Sequence, residues 1–326
     1  MIKRVAIAAG GDSGEYEVSL KSAEIVRQSL DPEKYDAYLL IIRGGQWFFS
    51  GKGAKQYPVN KDDFSLMVEG RKITFDVVFI AIHGTPGEDG KLQGYFDMLG
   101  IPYTSSGQVT SALTFDKDLC KRVVASLGIR VAPSITLGRA DSFDTTDIIN
   151  TAGLPCFVKP NKGGSSVGMS KVSKAEDLAG AIHRALAEDD QVMVEAFIPG
   201  REITCGVITS GKGIQSLPVT EIITRNEFFD YEAKYTDGVT DEITPADIPS
   251  EISLQCRQLS EMLYRKLNCR GFVRCDYIYN NEGMFFLEVN TVPGLSPNSI
   301  LPQQAGAEGI SLQQLFSMAI EQALRD

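Results

Sequence analysis

The first hundred residues alternate between buried strands, glycine-containing loops and helices, and this order constrains the fold more than any other feature. Residues 2–9 form an apolar run typical of a fully buried strand. A glycine turn and a helical pattern at 18–29 follow, and Pro32 ends the helix. Two further strands and a helix are predicted at 37–42, 75–82 and 91–99. Such alternation predicts an open parallel α/β sheet, with its sites on the loops at 10–17 and 83–90 that follow the strands.

The remaining residues predict further α+β segments. A chain of 326 residues exceeds one hydrophobic core, so we expect three domains, at 1–110, 111–200 and 201–326. A helix at 112–127 is closed by Gly128, and a Ser173–Glu176 capping box begins another helix. Strands are predicted at 155–159, 167–172, 192–197, 203–208 and 214–221. Residues 224–249 lack periodicity, and so long a loop is usually functional.

Composition excludes several classes of protein. With 43% apolar and 23% charged residues the chain is globular, and a net charge of −10 argues against nucleic-acid or anionic-membrane partners. The six cysteines form no CxxC pair and only two histidines occur, so zinc spacing is absent. No apolar run approaches the roughly 20 residues that cross a bilayer. We therefore expect a soluble cytoplasmic protein with reduced thiols.

Residues 271–290 predict a β-hairpin that carries a metal site. If Asn281, Glu282 and Gly283 form the turn, Asp276 lies opposite Glu288 and Arg274 opposite Asn290, all on one face. Two opposed carboxylates repel unless a cation lies between them, and oxygen-only ligands suit Mg²⁺. A turn one residue shorter or longer would move Glu288 to the other face and remove the site.

A second constellation is the glycine-rich segment VKPNKGGSSVG at 158–168. A lysine at a strand end precedes small residues whose backbone N–H groups can surround phosphate oxygens. The segment does not match the P-loop pattern, and alone it is equally compatible with an ordinary hairpin turn at Gly163 and Gly164. Its pairing with a distant carboxylate hairpin favours a nucleotide site.

Taken together, these motifs resemble the D-alanine:D-alanine ligases of the ATP-grasp superfamily, over essentially the whole chain. The segments that carry the resemblance are GGDSGEYEVSLKSA at 10–23, HGTPGEDGKLQG at 83–94, FDK at 115–117, VKPNKGGSSVGMSKV at 158–172, YEAKY at 231–235, VRCD at 273–276 and LEVNTVPGLSPNSI at 287–300. The resemblance implies an ATP-grasp fold in which two α+β domains enclose ATP behind an N-terminal α/β domain. It also implies synthesis of D-alanyl-D-alanine for peptidoglycan, and a homodimer.

The resemblance also implies roles for individual residues. Nucleotide contacts would come from Lys117, Lys159, Ser165, Ser166, Glu195, Ala196, Phe197, Ile198 and Glu202. Two Mg²⁺ ions, for which Mn²⁺ can substitute, would be held by Asp276, Glu288 and Asn290. Glu15 would hold the ammonium of the first D-alanine, Ser165 and Tyr235 would close the site, and Arg274 and the Gly294 N–H would stabilise an oxyanion. Lys234, Ser299 and the Ile300 N–H would bind the carboxylate of the second D-alanine, and His83 would be a further substrate-binding residue.

Each of these residues also has a simpler interpretation. Glu15 could only stabilise a helix N-terminus, Lys234 and Tyr235 could be a solvated pair, and His83 could be a satisfied strand-end histidine. His183 lies in a helix without a surrounding motif and receives no role. The sequence departs from the commoner family pattern at Thr85, Pro86 and Ile300, none of which changes a reacting side chain.

The same residues also allow three alternative functions to be weighed. A dinucleotide-binding oxidoreductase is disfavoured because GGDSG lacks GxGxxG and no acidic residue ends the second strand. A non-catalytic ATP sensor would be expected to have lost its metal or acceptor residues, which this chain retains. A ligase that uses D-lactate or D-serine as second substrate is the nearest alternative. Tyr235 favours an amine nucleophile, since ester-forming relatives commonly carry phenylalanine there.

Overall fold

The computed structural model describes residues 2–51, 55–164, 167–211, 213–224 and 240–325. In that part of the chain the strands are β1 Lys3–Gly10, β2 Tyr35–Arg43, β3 Gln46–Ser50, β4 Gln56–Asn60, β5 Ser65–Val68, β6 Arg71–Ile73, β7 Val77–Ile80, β8 Arg130–Val131, β9 Ser134–Gly138, β10 Cys156–Pro160, β11 Ser170–Val172, β12 Gln191–Ala196, β13 Arg201–Ser210, β14 Gly213–Ser216, β15 Thr220–Thr224, β16 Thr240–Ile243, β17 Phe272–Asn280 and β18 Gly283–Asn290. The helices are α1 Tyr16–Ser29, α2 Lys91–Leu99, α3 Gln108–Phe115, α4 Lys117–Ser126, α5 Thr145–Ala152, α6 Ala175–Glu188, α7 Ser250–Lys266, α8 Ile300–Ala307 and α9 Leu312–Ala323.

The first sheet has the strand order β6-β5-β4-β3-β2-β1-β7. Strand β1 runs parallel to β2 and β7, which confirms the predicted α/β core. Strands β3 to β6 add an antiparallel meander at residues 46–73, where the sequence predicted no strand. A tight turn through Gly44, at φ +51°, reverses the chain after β2, and the short strands beyond it gave no clear periodic signal.

Two further sheets follow, in the order β11-β10-β12-β9 and β16-β15-β13-β17-β18-β8, with β14 paired to β13. Helices α5 and α6 cover one face of the four-stranded sheet, where apolar side chains such as Val158, Ile182 and Val194 are fully buried. Strand β8 comes from the segment before the four-stranded sheet and pairs in parallel with β18. The chain therefore links these two sheets at more than one point.

Residues of the first sheet and its helix α1 share a hydrophobic core with residues from the C-terminal part of the chain, after 200. Helix α1 packs against α9, and the Phe79 ring contacts the Phe316 ring edge-on at 5.6 Å between centroids. Both rings are fully buried, and burial of such aromatic side chains contributes strongly to stability. Across the described residues, no helix combines the length and apolarity that a membrane span requires.

Several predicted boundaries are wrong. The helix predicted at 112–127 is two helices, because Asp116 leaves the helical conformation and its carboxylate accepts from the Leu119 N–H at 3.0 Å as the N-cap of α4. The Ser173–Glu176 capping box does not form, since α6 begins at Ala175 after Lys174 and has no side-chain cap.

Part of the predicted 224–249 loop is a strand. Strand β15 extends to Thr224, and β16 occupies Thr240–Ile243 and pairs with it in antiparallel register. The strand predicted at 214–221 is divided between β14 and β15, which are separated by residues 217–219 that include Pro218.

Candidate active site

Two large cavities adjoin in the middle of the molecule. The larger cavity measures about 1010 Å³ and the smaller cavity about 490 Å³. Five residues line both of them, and we call this shared wall the seam: Lys117, Gly163, Gly164, Arg274 and Glu288. A ligand in either cavity can therefore reach a ligand in the other at the seam.

The residues predicted from sequence divide between the two cavities. Beside the seam, the larger cavity is lined by Glu15, His83, Asn290, Gly294, Ser299 and Ile300. The smaller cavity is lined by Lys159, Glu195, Ala196, Phe197, Ile198, Glu202 and Asp276. Ser165, Ser166, Lys234 and Tyr235 lie outside the described residues. The structure thus brings every other predicted site residue to one of two contiguous cavities.

The hairpin of β17 and β18 places two carboxylates face to face. Asp276 lies opposite Glu288, and Arg274 lies opposite Asn290, as the sequence predicts. The predicted turn is nevertheless wrong, because Asn280 pairs with Gly283 across a two-residue turn. A β-bulge lies between the Asp276–Glu288 pair and the Tyr277–Phe286 pair. It inserts one extra residue, Leu287, into β18 and so restores the predicted pairing at the site.

An ion pair neutralises one of these carboxylates. The Arg274 guanidinium contacts Asp276 at 2.7 Å, and the Thr204 hydroxyl also donates to Asp276. Burial alone lowers the pKa of Arg274, but Asp276 and Glu288 outweigh burial and raise it, so the guanidinium stays charged. Arg274 is therefore a fixed positive charge on the seam, next to Glu288.

His83 holds the loops around the larger cavity together. Its Nδ1 lies 2.8 Å from the Val292 carbonyl oxygen, which can only accept, so Nδ1 carries the proton. Its Nε2 then accepts from the Ser22 hydroxyl at 2.9 Å. Burial lowers the pKa of His83, so the ring is neutral at pH 7. With both nitrogens engaged, His83 positions α1 and the turn after β18.

Glu88 is a buried acid in the larger cavity that sequence reasoning missed. Its Oε2 accepts from the Gly84 N–H at 2.5 Å, and the side chain is 8% exposed. Burial raises the pKa of Glu88 to about 8, and the nearby charges of Glu15 and Glu288 act in the same direction. The motif HGTPGEDG contains this glutamate, but only the fold reveals that its carboxyl group faces two other acids.

The glycine-rich loop approaches Glu15 across the larger cavity. A Cβ atom built on Gly164 would lie 2.8 Å from Glu15 Oε2, so the absence of a side chain there allows the contact. At the base of the loop, the Asn161 side chain accepts from the Asp118 N–H and donates to Asp116, both at 2.9 Å. The Lys117 ammonium donates to the Gly163 carbonyl at 2.6 Å. The loop is thereby anchored to α4.

Glu195 is buried between two lysines in the wall of the smaller cavity. Lys159 contacts Glu195 Oε2 at 2.6 Å, and Lys121, which sequence reasoning missed, contacts Oε1. Burial raises the pKa of Glu195, but the two ammonium groups outweigh it and lower that pKa to about 2. Lys121 lies one helical turn after Lys117, and this i, i+4 spacing was the signal available in the sequence.

The N-terminus of α8 faces the larger cavity. Ser299 precedes the helix and Ile300 begins it, so backbone N–H groups at this end can meet an anion. A Cβ atom on Gly294 would lie 2.6 Å from the Ser299 hydroxyl, which explains the glycine. Buried Gln304 fixes α8 to β13 through the Gly206 N–H at 2.9 Å and the Thr204 carbonyl at 3.0 Å.

No group of three or more His, Cys, Asp or Glu side chains in the described ranges is arranged to hold a metal ion. The set predicted from the hairpin is of another kind, because its third member is the amide of Asn290. The Asn290 Oδ1 already accepts from the Val292 N–H at 3.0 Å. Two facing carboxylates and an amide oxygen form a donor set that suits a hard cation.

Comparison with known proteins identifies relatives along the whole chain. The family described as "D-ala D-ala ligase N-terminus" matches residues 4–106, and "D-ala D-ala ligase C-terminus" matches residues 123–321. The D-alanine–D-alanine ligase of Flavobacterium johnsoniae is 45% identical over 99% of this chain and 100% of its own. The corresponding protein of Bacteroides fragilis is 42% identical over 98% of this chain and 99% of its own.

Solved structures agree in fold. The VanG D-Ala:D-Ser ligase from Enterococcus faecalis has a TM-score of 0.87 at 34% identity, covering 99% of this chain and 100% of its own. The D-alanine–D-alanine ligase from Bacillus anthracis complexed with ATP has a TM-score of 0.80 at 29% identity, covering 99% of this chain and 98% of its own.

Proposed function

Since this chain belongs to the D-alanine–D-alanine ligase family, we propose that it joins two D-alanine molecules with ATP through an acyl phosphate. ADP and phosphate are released, and the dipeptide is a precursor of peptidoglycan. The observation that carries the mechanism is the seam, where two cavities share one wall with a cation and a carboxylate. Transfer of a phosphoryl group from ATP to the carboxylate of an amino acid needs such a junction.

The smaller cavity takes ATP. Lys117 and Lys159 line it and contribute positive charge for the phosphates. The backbone from Ala196, the last residue of β12, to Ile198 is assigned to adenine, and Glu202 is assigned to the ribose hydroxyls. Glu195 contributes chiefly as the charge partner of the lysines, because both of its carboxylate oxygens already contact ammonium groups.

The larger cavity takes the two amino acids. Glu15 attracts the ammonium of the first D-alanine, whose carboxylate then points to the seam. The carboxylate of the second D-alanine binds at the start of α8, to the Ser299 hydroxyl and the Ile300 N–H. Lys234 is assigned to the same carboxylate, and Ser165 and Tyr235 to a bridge with Glu15 that excludes water.

Two displacements complete the reaction. A carboxylate oxygen of the first D-alanine attacks the γ-phosphorus, and the bond to the ADP oxygen breaks. The neutral amine of the second D-alanine attacks the acyl carbon, a C–N bond forms, and phosphate leaves as the amine loses its proton. Arg274 and the Gly294 N–H stabilise the oxyanion formed in the second step. The protein contributes position and charge without a covalent intermediate of its own.

Asp276, Glu288 and Asn290 would hold two Mg²⁺ ions, or Mn²⁺ in their place. The fit rests on the facing carboxylates and on donors that are all oxygen. A metal bound there would supply positive charge to the phosphates of ATP. Arg274 compensates Asp276 from its own strand, which keeps the pair from repelling before the cation arrives.

We further assign the chain to three domains at 1–110, 111–200 and 201–326, to a homodimer, and to the cytoplasm. The three sheets support the division, since apart from β8 each draws its strands from one of these segments. The six cysteines are all free and buried, in keeping with a reducing compartment.

D-Serine is a second candidate for the acceptor. The specific support is the D-Ala:D-Ser ligase among the similar structures, at 34% identity over almost the whole chain. Tyr235 favours an amine over a hydroxyl nucleophile, and D-serine and D-alanine both offer an amine. The distinction therefore depends on the pocket around the acceptor side chain.

One experiment separates these possibilities. Purified protein is supplied with ATP, Mg²⁺ and D-alanine, alone or with D-serine or D-lactate, and phosphate release is followed together with the product mass. We expect D-alanyl-D-alanine as the main product. Phosphate release without any dipeptide, or preferential formation of the mixed product, contradicts the proposal.

A further inference from the structure

A buried cluster of three charged residues lies in the wall of the smaller cavity and directly behind that wall. Lys121, Glu195 and Lys159 have side-chain exposures of 4%, 4% and 14%. Glu195 is the centre, with one lysine on each carboxylate oxygen. Of these three residues, Glu195 and Lys159 line the smaller cavity, whereas Lys121 lines neither cavity.

Lys121 is held in place by hydrogen bonds to protein groups. Its ammonium donates to the Ala132 carbonyl and to the Ser134 hydroxyl, both at 2.9 Å, and to Glu195. A lysine ammonium has three hydrogens, so these contacts satisfy it. Lys121 therefore has no hydrogen left for a ligand, and any effect on the nucleotide must pass through Glu195.

The charges of the cluster do not cancel. One carboxylate faces two ammonium groups, which leaves one positive charge. Elsewhere on the same cavity wall, Arg201 is bound to Glu221 through two contacts of 2.6 Å, and Arg274 is bound to Asp276 at 2.7 Å. Because Lys121 is enclosed, the positive charge left by the cluster is presented to the cavity by Lys159.

We propose that Lys121 is a positioning residue for the nucleotide: by compensating Glu195 from behind, it leaves the Lys159 ammonium with its charge available to phosphate. This inference rests on the assignment of the smaller cavity to ATP. Without Lys121, Glu195 and Lys159 form a neutral, tightly bound pair, and the phosphates meet a wall with one positive charge fewer.

The inference predicts a compensating pair of substitutions. Lys121→Met keeps most of the length of the side chain and removes its charge, so Glu195 neutralises Lys159. Adding Glu195→Gln removes the competing carboxylate and restores the charge of Lys159. The double variant also avoids a buried carboxylate with one partner missing, and it is therefore the variant expected to fold well.

The test measures binding of ADP and of adenosine by calorimetry, together with the ATP KM for dipeptide formation. Lys121→Met should weaken ADP binding and raise the ATP KM about tenfold or more, with a smaller change in kcat and in adenosine binding. The double variant should recover most of the ADP affinity, and Lys121→Arg should stay within a few-fold of the original protein. Lys174→Met, which removes a 72% exposed lysine of α6's N-cap, is the matched control.

Three outcomes overturn the inference: wild-type ADP affinity in folded Lys121→Met, equal loss of ADP and adenosine binding, or a folded double variant that binds ADP no better than the single one. If Lys121→Met does not fold, the double variant decides alone, since it must bind ADP within a few-fold of the original protein. Absence of dipeptide formation by the unaltered protein is a separate result, and it contradicts the proposed function instead.

Discussion

Glu195 and Glu88 are both buried glutamates on the walls of adjoining cavities, yet their pKa values move in opposite directions. Two ammonium groups overcome burial and lower the pKa of Glu195 to about 2. Glu88 is 8% exposed and has acidic neighbours, and its pKa rises to about 8. The backbone N–H groups of Gly84 and Val292 donate to its carboxyl group, and they only partly oppose the shift. Burial is thus common to both, and the neighbouring charges decide the outcome.

The opposite pKa shifts of the two glutamates match the ligands assigned to the two cavities, which we call the nucleotide side and the amino-acid side. The smaller cavity has ion pairs of Lys159, Arg201 and Arg274 in its wall, which suits an anionic nucleotide. In the larger cavity Glu88 titrates near neutrality, and the neutral His83 ring joins Ser22 to Val292. Two zwitterionic amino acids need no net countercharge. We therefore expect pH to affect the amino-acid side more than the nucleotide side.

The largest effect should come from the seam, which belongs to both cavities. Glu288→Gln removes one of two facing carboxylates and a proposed Mg²⁺ ligand, so kcat/KM should fall at least about a hundredfold while the fold survives. Turnover is measured across Mg²⁺ concentrations, beside melting curves without metal. Glu282→Gln on the exposed hairpin turn is the control. Unaltered turnover at limiting Mg²⁺ rules out the hairpin site.

A smaller effect is expected from Tyr235→Phe, which tests the acceptor end of the amino-acid side. Tyr235 lies outside the described residues, and the prediction rests on its assignment to the Ser165 and Glu15 bridge. Loss of a hydrogen bond to a charged group costs about 1.5 to 3 kcal/mol, or roughly tenfold to a hundredfold in discrimination. D-Lactate should become an acceptor, chiefly at low pH where free amine is scarce. Equal dipeptide to depsipeptide ratios in both proteins from pH 6 to 9 exclude Tyr235 as the selector.

Gly164→Ala probes the contact between the glycine-rich loop and Glu15. The new methyl group would lie 2.8 Å from Glu15 Oε2, and the flexible end of that side chain can move away. Stability should change little, while the KM for D-alanine rises about tenfold because the ammonium loses its positioned partner. Gly14→Ala, which has open space next to Glu15, is the control. An unchanged KM in Gly164→Ala places Glu15 outside the amino-acid site.

The two facing carboxylates were predictable from sequence because both belong to one local element, the β17–β18 hairpin. The pairing of Asp276 with Glu288 was nonetheless reached through a wrong turn, since a two-residue turn and a bulge at Leu287 shift the register by one residue each and cancel. Hydrophobic alternation detects neither change, because turn type and bulge position depend on backbone conformation.

The buried charges could not be predicted in the same way. Lys121 meets Glu195 from α4, and Glu88 meets Glu15 from a separate loop, so each shift depends on elements far apart in the chain. Likewise, the split of the predicted 112–127 helix follows from the cap at Asp116, which brings the Lys117 N–H to the Asn161 carbonyl at 3.2 Å. Periodicity identified the elements, and tertiary contacts set their ends and charges.

The smallest effect expected is on the pH dependence of stability, and it tests Glu88 directly. An unfolded glutamate loses its proton near its usual pKa of about 4.3, whereas Glu88 in the fold keeps it until about pH 8. Between these values the folded state binds more protons, so Glu88 makes stability fall as pH rises, by at most about 1.4 kcal/mol per pH unit. His83 acts oppositely, because its lowered pKa leaves the unfolded state more protonated below about pH 6.5.

Glu88→Gln removes only the contribution of Glu88 to this pH dependence and leaves that of His83. The difference in unfolding free energy between the two proteins, measured by urea at pH 5.5, 6.5 and 7.5, should therefore shift in favour of the variant by about 1 to 1.4 kcal/mol per pH unit. A difference that stays constant with pH means that Glu88 is already ionised in the fold, and the contrast with Glu195 then disappears.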